Sequence, residues 1–292
     1  MSIWFSAKNS ICRGTSAKSI LVEKDTVQLN NIRTYAKKAL MNESKMRKNP
    51  TPYDVETKVE SFHWWFVGRR RLLKSLLSSI NIPKNHLTID TGCGTGSNLR
   101  ALSSWGYNVV GLDRSPYALS LVRTKGNFPL LSGDLNQLPI KAKSVGIIIA
   151  MDILEHLEND ENGIREIYHA LTKGGVLILT VPAFNCLWGI QDIVTGHKRR
   201  YSKEEITKKL KKVGFIVLDS SYFNFFLFFP ILIARRTIRL IGLKVKSENN
   251  INFPLINFFL KIIFSCELYI LKYLTFPFGV SIFCIGVKRE KV

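Results

Sequence analysis

The sequence predicts an α/β fold built on a doubly wound, seven-stranded sheet, with an apolar helical insertion between the last two strands. Two observations carry this prediction. Apolar segments of strand length alternate with helical patterns through the middle of the chain, a rhythm typical of parallel strands with helices on both faces of the sheet. The segment between the last two strands is about fifty residues long, which is too long for a hairpin loop.

Each element follows from its own local pattern. Pro83 ends a helical lead-in because proline cannot continue a helix interior, and Ser202 and Gly214 are typical of the start and the end of a helix. Strands are predicted over 87–90, 108–113, 128–134, 145–152, 176–182, 215–223 and 279–289, and helices over 97–104, 116–124, 159–171 and 202–212.

The composition separates a basic extension, residues 1–50, from one domain over 51–292. The extension holds only three acidic residues and no long apolar run, so we expect it to be disordered and to lie outside the fold. It is either a mitochondrial transit peptide or the result of a start codon assigned too early. The domain divides into a lead-in over 51–83, a core over 84–223, the insertion over 224–278 and a closing strand over 279–289.

The net charge and the cysteines limit the partners and the compartment. A formal charge of +20 attracts polyanions such as nucleic acid or the anionic face of a membrane. The five cysteines are odd in number and form no CxxC pair, which argues against a disulfide framework and against a zinc knuckle. We therefore expect a reducing, cytoplasmic location.

The segment from Asp90 to Ser97 carries the strongest chemical signal. It joins a strand to a helix, and Gly92, Gly94 and Gly96 permit a sharp turn and a close approach of the backbone to a ligand at the helix N-terminus. A phosphate-binding P-loop would need a lysine that is absent here. A dinucleotide fingerprint would place a third glycine where Ser97 stands. The segment therefore favours a nucleotide-like ligand that is not a pyrophosphate.

This segment resembles motif I of the class I S-adenosylmethionine-dependent methyltransferases, a Rossmann-like family, in which an acid precedes GxGxG at the end of the first strand. The resemblance implies S-adenosylmethionine as the cofactor, with Asp90 and the three glycines at its methionine part. It also implies that Asp113 binds the ribose hydroxyls, that Asp134 faces the adenine amine and that Leu135 packs on the ring. Carboxylates suit a diol or an amine because they are bidentate acceptors.

The segment MDILEHL (151–157) resembles the small-molecule branch of that family, which includes quinone and lipid-precursor methyltransferases. The resemblance places Asp152 beside the sulfonium and His156 near the substrate. His156 is either a general base, since a histidine pKa lies near working pH, or a structural residue. A metal held by Glu155 and His156 lacks enough visible ligands, so no metal is predicted.

The loop over 182–202 is polar and aromatic and follows the fifth strand, where a substrate should lie. Trp188, Arg199, Arg200 and Tyr201 are the predicted substrate residues, the arginines through a phosphate or carboxylate of the substrate, and His197 is a second candidate base. GHKRRYS also resembles a loop-anchoring segment of this branch, so a structural role is the alternative.

The HWWF segment (63–66) predicts one tryptophan in packing and one in a lid. Together with the 182–202 loop, it resembles uncharacterised bacterial and archaeal methyltransferases associated with lipid-linked glycans.

Two apolar segments suggest a membrane. Residues 222–234 are apolar but too few to span a bilayer. Residues 254–275 form an apolar helix with one narrow polar stripe. Such helices suit a membrane interface, and the alternative is packing on the sheet or in a dimer.

These features predict a peripheral membrane enzyme that methylates a hydrophobic or lipid-linked small molecule on oxygen, with His156 or His197 removing a proton. An RNA methyltransferase is the alternative that the basic charge suggests, although no RNA-binding module is visible and nucleic acid is therefore not the expected partner. A non-catalytic, membrane-docked scaffold is the alternative from another class.

Overall fold

The structure is a computed structural model that describes residues 51–80, 82–241 and 253–289. The predicted basic extension, residues 1–50, lies outside the described residues. The seven predicted strands form one sheet in the order β3-β2-β1-β4-β5-β7-β6. They are β1 Leu87–Thr91, β2 Asn108–Asp113, β3 Leu130–Ser132, β4 Val145–Met151, β5 Leu171–Pro182, β6 Phe215–Phe223 and β7 Ser281–Lys288.

The predicted fold class is confirmed, with one feature that the sequence pattern did not specify. Strands β1 to β5 pair in parallel, whereas β7 pairs antiparallel with both of its neighbours, β5 and β6. β7 inserts between β5 and β6, which leaves β3 and β6 as the two edges of the sheet. β5 also begins at Leu171, five residues before the predicted boundary, since its glycine-containing start continues the sheet.

Helices surround the sheet. They are α1 Pro52–Val59, α2 Trp64–Ser78, α3 Ser97–Ser104, α4 Pro116–Lys125, α5 Asp160–Ala170, α6 Ile190–Thr195, α7 Lys203–Val213, α8 Phe228–Ile241 and α9 Pro254–Ile270. As predicted, Ser202 caps α7, its hydroxyl accepting a hydrogen bond of 3.1 Å from the amide of Glu205. Helices α8 and α9 occupy the segment between β6 and β7 in which the apolar insertion is predicted.

Two apolar clusters, one on each face of the sheet, form the core. Every residue of β4 is buried, with Ile147, Ile149 and Met151 in one cluster and Ile148 and Ala150 in the other. Helices α5 and α7 cover one face, and α2, α3, α4 and α9 cover the other. This burial on both faces is the reason that the parallel strands are continuously apolar.

Helix α9 is held on α2 by an aromatic cluster around Phe264. Its ring is fully buried and stacks on Phe223 and Trp65 at centroid distances of 6.1 and 6.3 Å. Asn257, one residue of the predicted polar stripe, faces the same side: its side chain accepts a hydrogen bond from the amide of Trp64 and donates one to the carbonyl of Phe62. Both tryptophans of HWWF therefore pack against the core, and the predicted lid role is wrong because neither reaches the cavity described below.

Replacing Phe264 with alanine should lower the free energy of unfolding by about 3–5 kcal/mol, because it removes a fully buried ring and leaves a cavity between α9 and α2. The matched control is Phe258→Ala on the same helix, where the ring is 57% exposed. Denaturant unfolding of both variants is the measurement. A loss in Phe264→Ala no larger than that in the control would show that α9 is not docked as described.

Candidate functional site

The loop after β1 takes a backbone conformation that favours glycine. Gly92, Gly94 and Gly96 have φ angles of +65°, +51° and +80°, a region that is strained for residues with a Cβ. A Cβ added at Gly92 would also lie 2.6 Å from Cδ1 of Ile153. The loop can therefore turn tightly into the N-terminus of α3, where Gly96 is the N-cap.

A cavity of about 280 Å³ lies at the carboxyl edge of β1, β2 and β4. This edge is where open α/β sheets bind ligands. Its wall contains seven of the predicted site residues, Gly92, Gly94, Asp113, Asp134, Leu135, Asp152 and His156. The cofactor residues predicted at strand ends therefore do lie together at one cavity. Of the other two, Asp90 is buried and Gly96 lies in the loop, and neither lines the wall.

Asp113 ends β2 and faces the glycine loop. Its carboxylate accepts hydrogen bonds from the amides of Gly94, at 2.9 Å, and Ser115, at 2.8 Å. Burial raises the pKa of Asp113, and the two backbone hydrogen bonds oppose that rise. Each oxygen keeps a second acceptor site, so the carboxylate can hold the loop and also accept hydrogen bonds from a ligand diol.

Asp90 is the residue whose surroundings fit a cationic ligand group best. It is 1% exposed, and its Oδ2 atom has no hydrogen-bond partner among the described residues. Burial raises the pKa of Asp90 to about 7, and the charge of Arg69 opposes that rise. An unpartnered buried carboxylate oxygen is costly, and the ammonium group of a methionine moiety is the type of partner that would remove this cost.

Arg69 is a site residue that the sequence analysis missed. It comes from α2, and its Nη2 atom lies 3.0 Å from Oδ2 of Asp152 and donates to the carbonyl of Met151 at 3.1 Å. The guanidinium lines the cavity, so it can meet a ligand carboxylate. In the sequence Arg69 is one of three consecutive arginines, and no local signal separates it from Arg70 and Arg71.

Asp152 follows β4 in an uncommon backbone conformation. Its φ angle is +54°, which is unfavourable for a residue with a side chain. Oδ1 accepts a hydrogen bond of 3.0 Å from the hydroxyl of Thr180 in β5, and Oδ2 pairs with Arg69. These two contacts hold the carboxylate at the cavity wall, as the resemblance predicts.

Helix α1 closes over the glycine loop through buried polar contacts. The Thr95 hydroxyl donates to the carboxylate of Glu56 at 3.0 Å and also bonds with Glu60. Glu60 is 2% exposed and pairs with Lys125, at 2.6 Å, and with Arg100. The lead-in therefore completes the cavity, to which α1 also contributes Tyr53.

The two predicted bases lie side by side but in different surroundings. His156 lines the cavity, whereas His197 lies behind it, with the ring centroids 4.8 Å apart. Burial, together with the neighbouring His197, lowers the pKa of His156 to about 4, so His156 is neutral at pH 7. His197 Nδ1 lies 2.7 Å from Oδ1 of Asp192, which orients the ring.

The predicted substrate residues need correction because none of them lines the cavity. Tyr201 is 1% exposed and donates to Asp160 at 2.9 Å. Arg200 is buried and makes two hydrogen bonds to Asp192, at 2.9 and 3.0 Å. Arg199 donates to two carbonyls at 157 and 158. Their positive charge is thus used within the protein, and the structure supports the loop-anchoring alternative for these three residues.

Trp188 belongs to the part of the loop that contacts α8. It is half-buried, and its carbonyl accepts a hydrogen bond of 2.8 Å from Arg239. Arg235, also on α8, donates to the carbonyl of Leu187. The loop over 182–202 is therefore tied to the insertion at one end, while Thr195 at its other end lines the cavity.

Comparison with known proteins identifies the type of domain. Residues 89–179 match the family described as "Methyltransferase domain". The match covers less than half of the chain. Together with the glycine loop and the strand-end carboxylates, it indicates a methyltransferase domain of the S-adenosylmethionine-dependent type.

Two relatives and one solved structure illustrate the similarity. The chain is 26% identical over 135 residues to a probable S-adenosylmethionine-dependent methyltransferase of Mycolicibacterium smegmatis (45% of this chain, 52% of the relative). It is 26% identical over 137 residues to the chloroplastic 2-methyl-6-phytyl-1,4-hydroquinone methyltransferase of Spinacia oleracea (45% and 40%). Phosphoethanolamine N-methyltransferase 2 of Haemonchus contortus, in complex with S-adenosyl-L-methionine, shares the fold at 20% identity and a TM-score of 0.51 (75% and 52%). The matched segment spans about half the length of the curated relatives or less.

Replacing Asp113 with alanine should weaken binding of S-adenosylhomocysteine at least tenfold, about 1.4 kcal/mol, because the variant loses the acceptor that faces the cavity and the anchor of the glycine loop. Calorimetric titration is the measurement, and Asp219→Ala, at an exposed position on β6, is the control. Equal affinity in wild type and Asp113→Ala would remove Asp113 from the cofactor site.

Proposed function

We propose that the protein transfers the methyl group of S-adenosylmethionine to an oxygen atom of a hydrophobic or lipid-linked acceptor at an anionic membrane surface. The observation that carries this proposal is the exposed apolar face of the insertion, which is joined to the loop beside the cavity. The relatives of the domain include a hydroquinone methyltransferase and a tRNA methyltransferase. The type of domain alone therefore does not identify the acceptor, which has to be inferred from features specific to this chain.

The outward sides of α8 and α9 are apolar, and we call their exposed apolar residues together the apolar face. On α9, the polar side chain of Asn257 and the buried carboxylate of Glu267 point toward the protein, where Glu267 accepts a hydrogen bond from the amide of Asn224. The side chains left outside are large and apolar. The apolar face consists of Phe229, Ile233, Leu240, Ile241, Phe253, Leu255, Ile256, Phe258, Phe259, Ile262, Tyr269, Tyr273 and Leu274, all at least 44% exposed.

An apolar surface of this size is unusual on a soluble monomer and marks an interaction site. Exposed arginines 236 and 239 on α8 and Lys272 after α9 lie among these residues in the chain. Cationic side chains around an apolar face suit an anionic lipid interface, where each contributes on the order of 1 kcal/mol. No helix in the described ranges is long and apolar enough to span a bilayer. The exposed apolar side chains and the cationic side chains among them favour attachment in the plane of the interface.

The apolar face is mechanically connected to the site. Arg235 and Arg239 of α8 hold the carbonyls of Leu187 and Trp188, and the same loop continues to Thr195 at the cavity wall. An acceptor that partitions into lipid would therefore reach the cavity beside a loop whose position depends on α8. The connection supports a lipid-phase acceptor over one taken from solution.

The roles of the residues follow from the geometry of the cavity. Bound S-adenosylmethionine supplies an electrophilic methyl group on its sulfonium. Asp113 would accept from the ribose, while Asp134 and Leu135 would hold the adenine. Asp90 and Arg69 would meet the ammonium and the carboxylate of the methionine part. His156, neutral and on the cavity wall, is the group nearest to an acceptor proton, with His197 behind it. Transfer needs chiefly positioning of the acceptor and exclusion of water.

Vesicle flotation tests the membrane part of the proposal. The full chain should float with vesicles of phosphatidylserine and phosphatidylcholine, and far less with phosphatidylcholine alone. The double variant Phe258→Ser, Phe259→Ser should bind at least tenfold more weakly, about 1.4 kcal/mol, because two exposed rings can no longer enter the interface. Leu218→Ser, an exposed apolar position on β6, is the matched control. Equal flotation of the double variant and the control would contradict the proposed docking face.

Transfer of a labelled methyl group tests the acceptor. When the protein is given labelled S-adenosylmethionine together with either a lipid extract or total RNA, label should enter the organic phase of the lipid sample. Mass spectrometry should then show the methyl group on oxygen. Asp113→Ala, which weakens cofactor binding, is the negative control. Label in RNA alone would overturn the proposal in favour of an RNA methyltransferase, and methylation on nitrogen or carbon would overturn the choice of oxygen.

A further inference from the structure

Beside the cofactor cavity, three side chains converge on one point. Glu155 and His156 belong to the short 3-10 helix Leu154–His156 after β4, and His197 comes from the loop after α6. One ligand atom from each, a carboxylate oxygen and two imidazole nitrogens, lie within 4.8 Å of one another. The sequence analysis excluded a metal because it saw only two ligands, and the fold supplies the third.

The carboxylate of Glu155 lacks any hydrogen-bond partner. The residue is completely buried, and neither of its side-chain oxygens accepts a hydrogen bond from the described residues. A buried carboxylate without a hydrogen-bond partner costs several kcal/mol. A bound ligand other than a protein side chain would remove this cost.

His197 is oriented for metal binding by a second layer of contacts. Its Nδ1 atom lies 2.7 Å from Asp192 Oδ1, and Asp192 in turn is held by two hydrogen bonds from Arg200. Because a carboxylate accepts hydrogen bonds, Nδ1 donates to Asp192, which leaves Nε2 with its lone pair, 3.8 Å from Oε1 of Glu155. A carboxylate behind a histidine is the usual support of a metal ligand.

His156 is the second nitrogen ligand. Its ring centroid lies 4.8 Å from that of His197, and its side chain lines the cavity. Tetrahedral ligands at about 2.1 Å from a metal are about 3.4 Å apart. Side-chain rotations that move these atoms by about an ångström would bring the three ligand atoms from their present separation of up to 4.8 Å to that spacing.

We propose that Glu155, His156 and His197 bind one divalent transition-metal ion of the zinc class at the wall of the cofactor cavity. Two imidazoles and one carboxylate match the preferences of Zn²⁺ and its neighbours, whereas Mg²⁺ and Ca²⁺ prefer oxygen ligands. Three protein ligands leave a fourth position open. Because His156 lines the cavity, the open position lies on the side where an acceptor would enter.

The ion would change the task of the two histidines. As ligands they would not remove a proton, and the ion would instead bind an acceptor oxygen at its open position and lower the pKa of its hydroxyl. The proton would leave to solvent, and the resulting oxyanion would attack the methyl group, whose bond to sulfur would break with release of S-adenosylhomocysteine. This consequence rests on the proposed methyl transfer to oxygen, whereas the metal site itself does not.

Titration of the chelator-treated full chain with Zn²⁺ tests the site directly. Wild type should bind one ion per chain, and Glu155→Gln and His197→Asn should each bind at least tenfold more weakly. His169→Asn, an exposed histidine on α5, is the matched control and should bind as wild type does. Substitution with Co²⁺ should give the visible absorption of a four-coordinate ion in wild type and not in Glu155→Gln. Thermal unfolding followed by circular dichroism checks that each variant is folded.

The outcomes separate this proposal from the proposed function. Wild-type binding no tighter than that of the two ligand variants would overturn the site, whereas methyl transfer that is unchanged after chelation would overturn only the role of the ion in that transfer. Stoichiometric Zn²⁺ binding without methylation of any lipid would support the site and overturn the proposed acceptor. Binding of S-adenosylhomocysteine in metal-free protein should equal that of the metal-bound form, because the cofactor residues are not ligands.

Discussion

The parallel pairing of β1 with β2 and with β4 is the constraint on which the site depends. This register places Thr91 beside Leu112 and Ala150, so the three strands end together at one edge. The next residues along each chain segment are then the glycine loop, Asp113 and Asp152. Carboxylates at these positions can converge on one ligand only because parallel strands deliver all of their carboxyl ends to the same edge. The chemistry of the site is therefore a property of the sheet rather than of any single loop.

A second constraint explains why an apolar face remains outside. The inner surface of α9 carries Phe264 and Asn257, which contact α2 and the residues before it, and Glu267, which accepts hydrogen bonds from the backbone after β6. Glu267 is buried there, and burial raises the pKa of its carboxyl to about 7. Since these contacts set the rotation of the helix, its remaining large side chains have to point outward. The exposed apolar residues of that face therefore result from the way α9 is docked, and an apolar partner would cover them.

The sequence predicted elements whose information is local. The bounds of α3 agree with the predicted 97–104 because a glycine loop marks its start, and the strands follow from runs of apolar residues. Asp113 and Asp134 could be found because each stands at a strand end. Contacts between distant segments could not be found. Arg69 reaches Met151, and Glu60 pairs with Lys125, across more than sixty residues, and neither has a pattern that distinguishes it from a solvated charge.

The basic cluster before β6 shows why the chemistry of such segments is hard to assign. Arg199, Arg200 and Tyr201 have the composition of an anion-binding loop, and the same composition suits a loop that binds its own carboxylates. What separates the two is the location of Asp160 and Asp192, which lie in α5 and α6 and meet the cluster only in the folded chain.

Asp192 has the larger influence of the two acids. Its Oδ1 atom accepts a hydrogen bond from Arg200 and also contacts Nδ1 of His197. The same oxygen therefore anchors the loop and orients the imidazole. Arg235 of α8 also lies 3.8 Å from this carboxylate. Loss of a partner by a buried charge is strongly destabilising. A movement of α8 that displaces Arg235 would therefore alter the contact between Asp192 and His197. Helix α8 and the imidazole behind the cavity wall therefore share this one carboxylate, through Arg235 and His197.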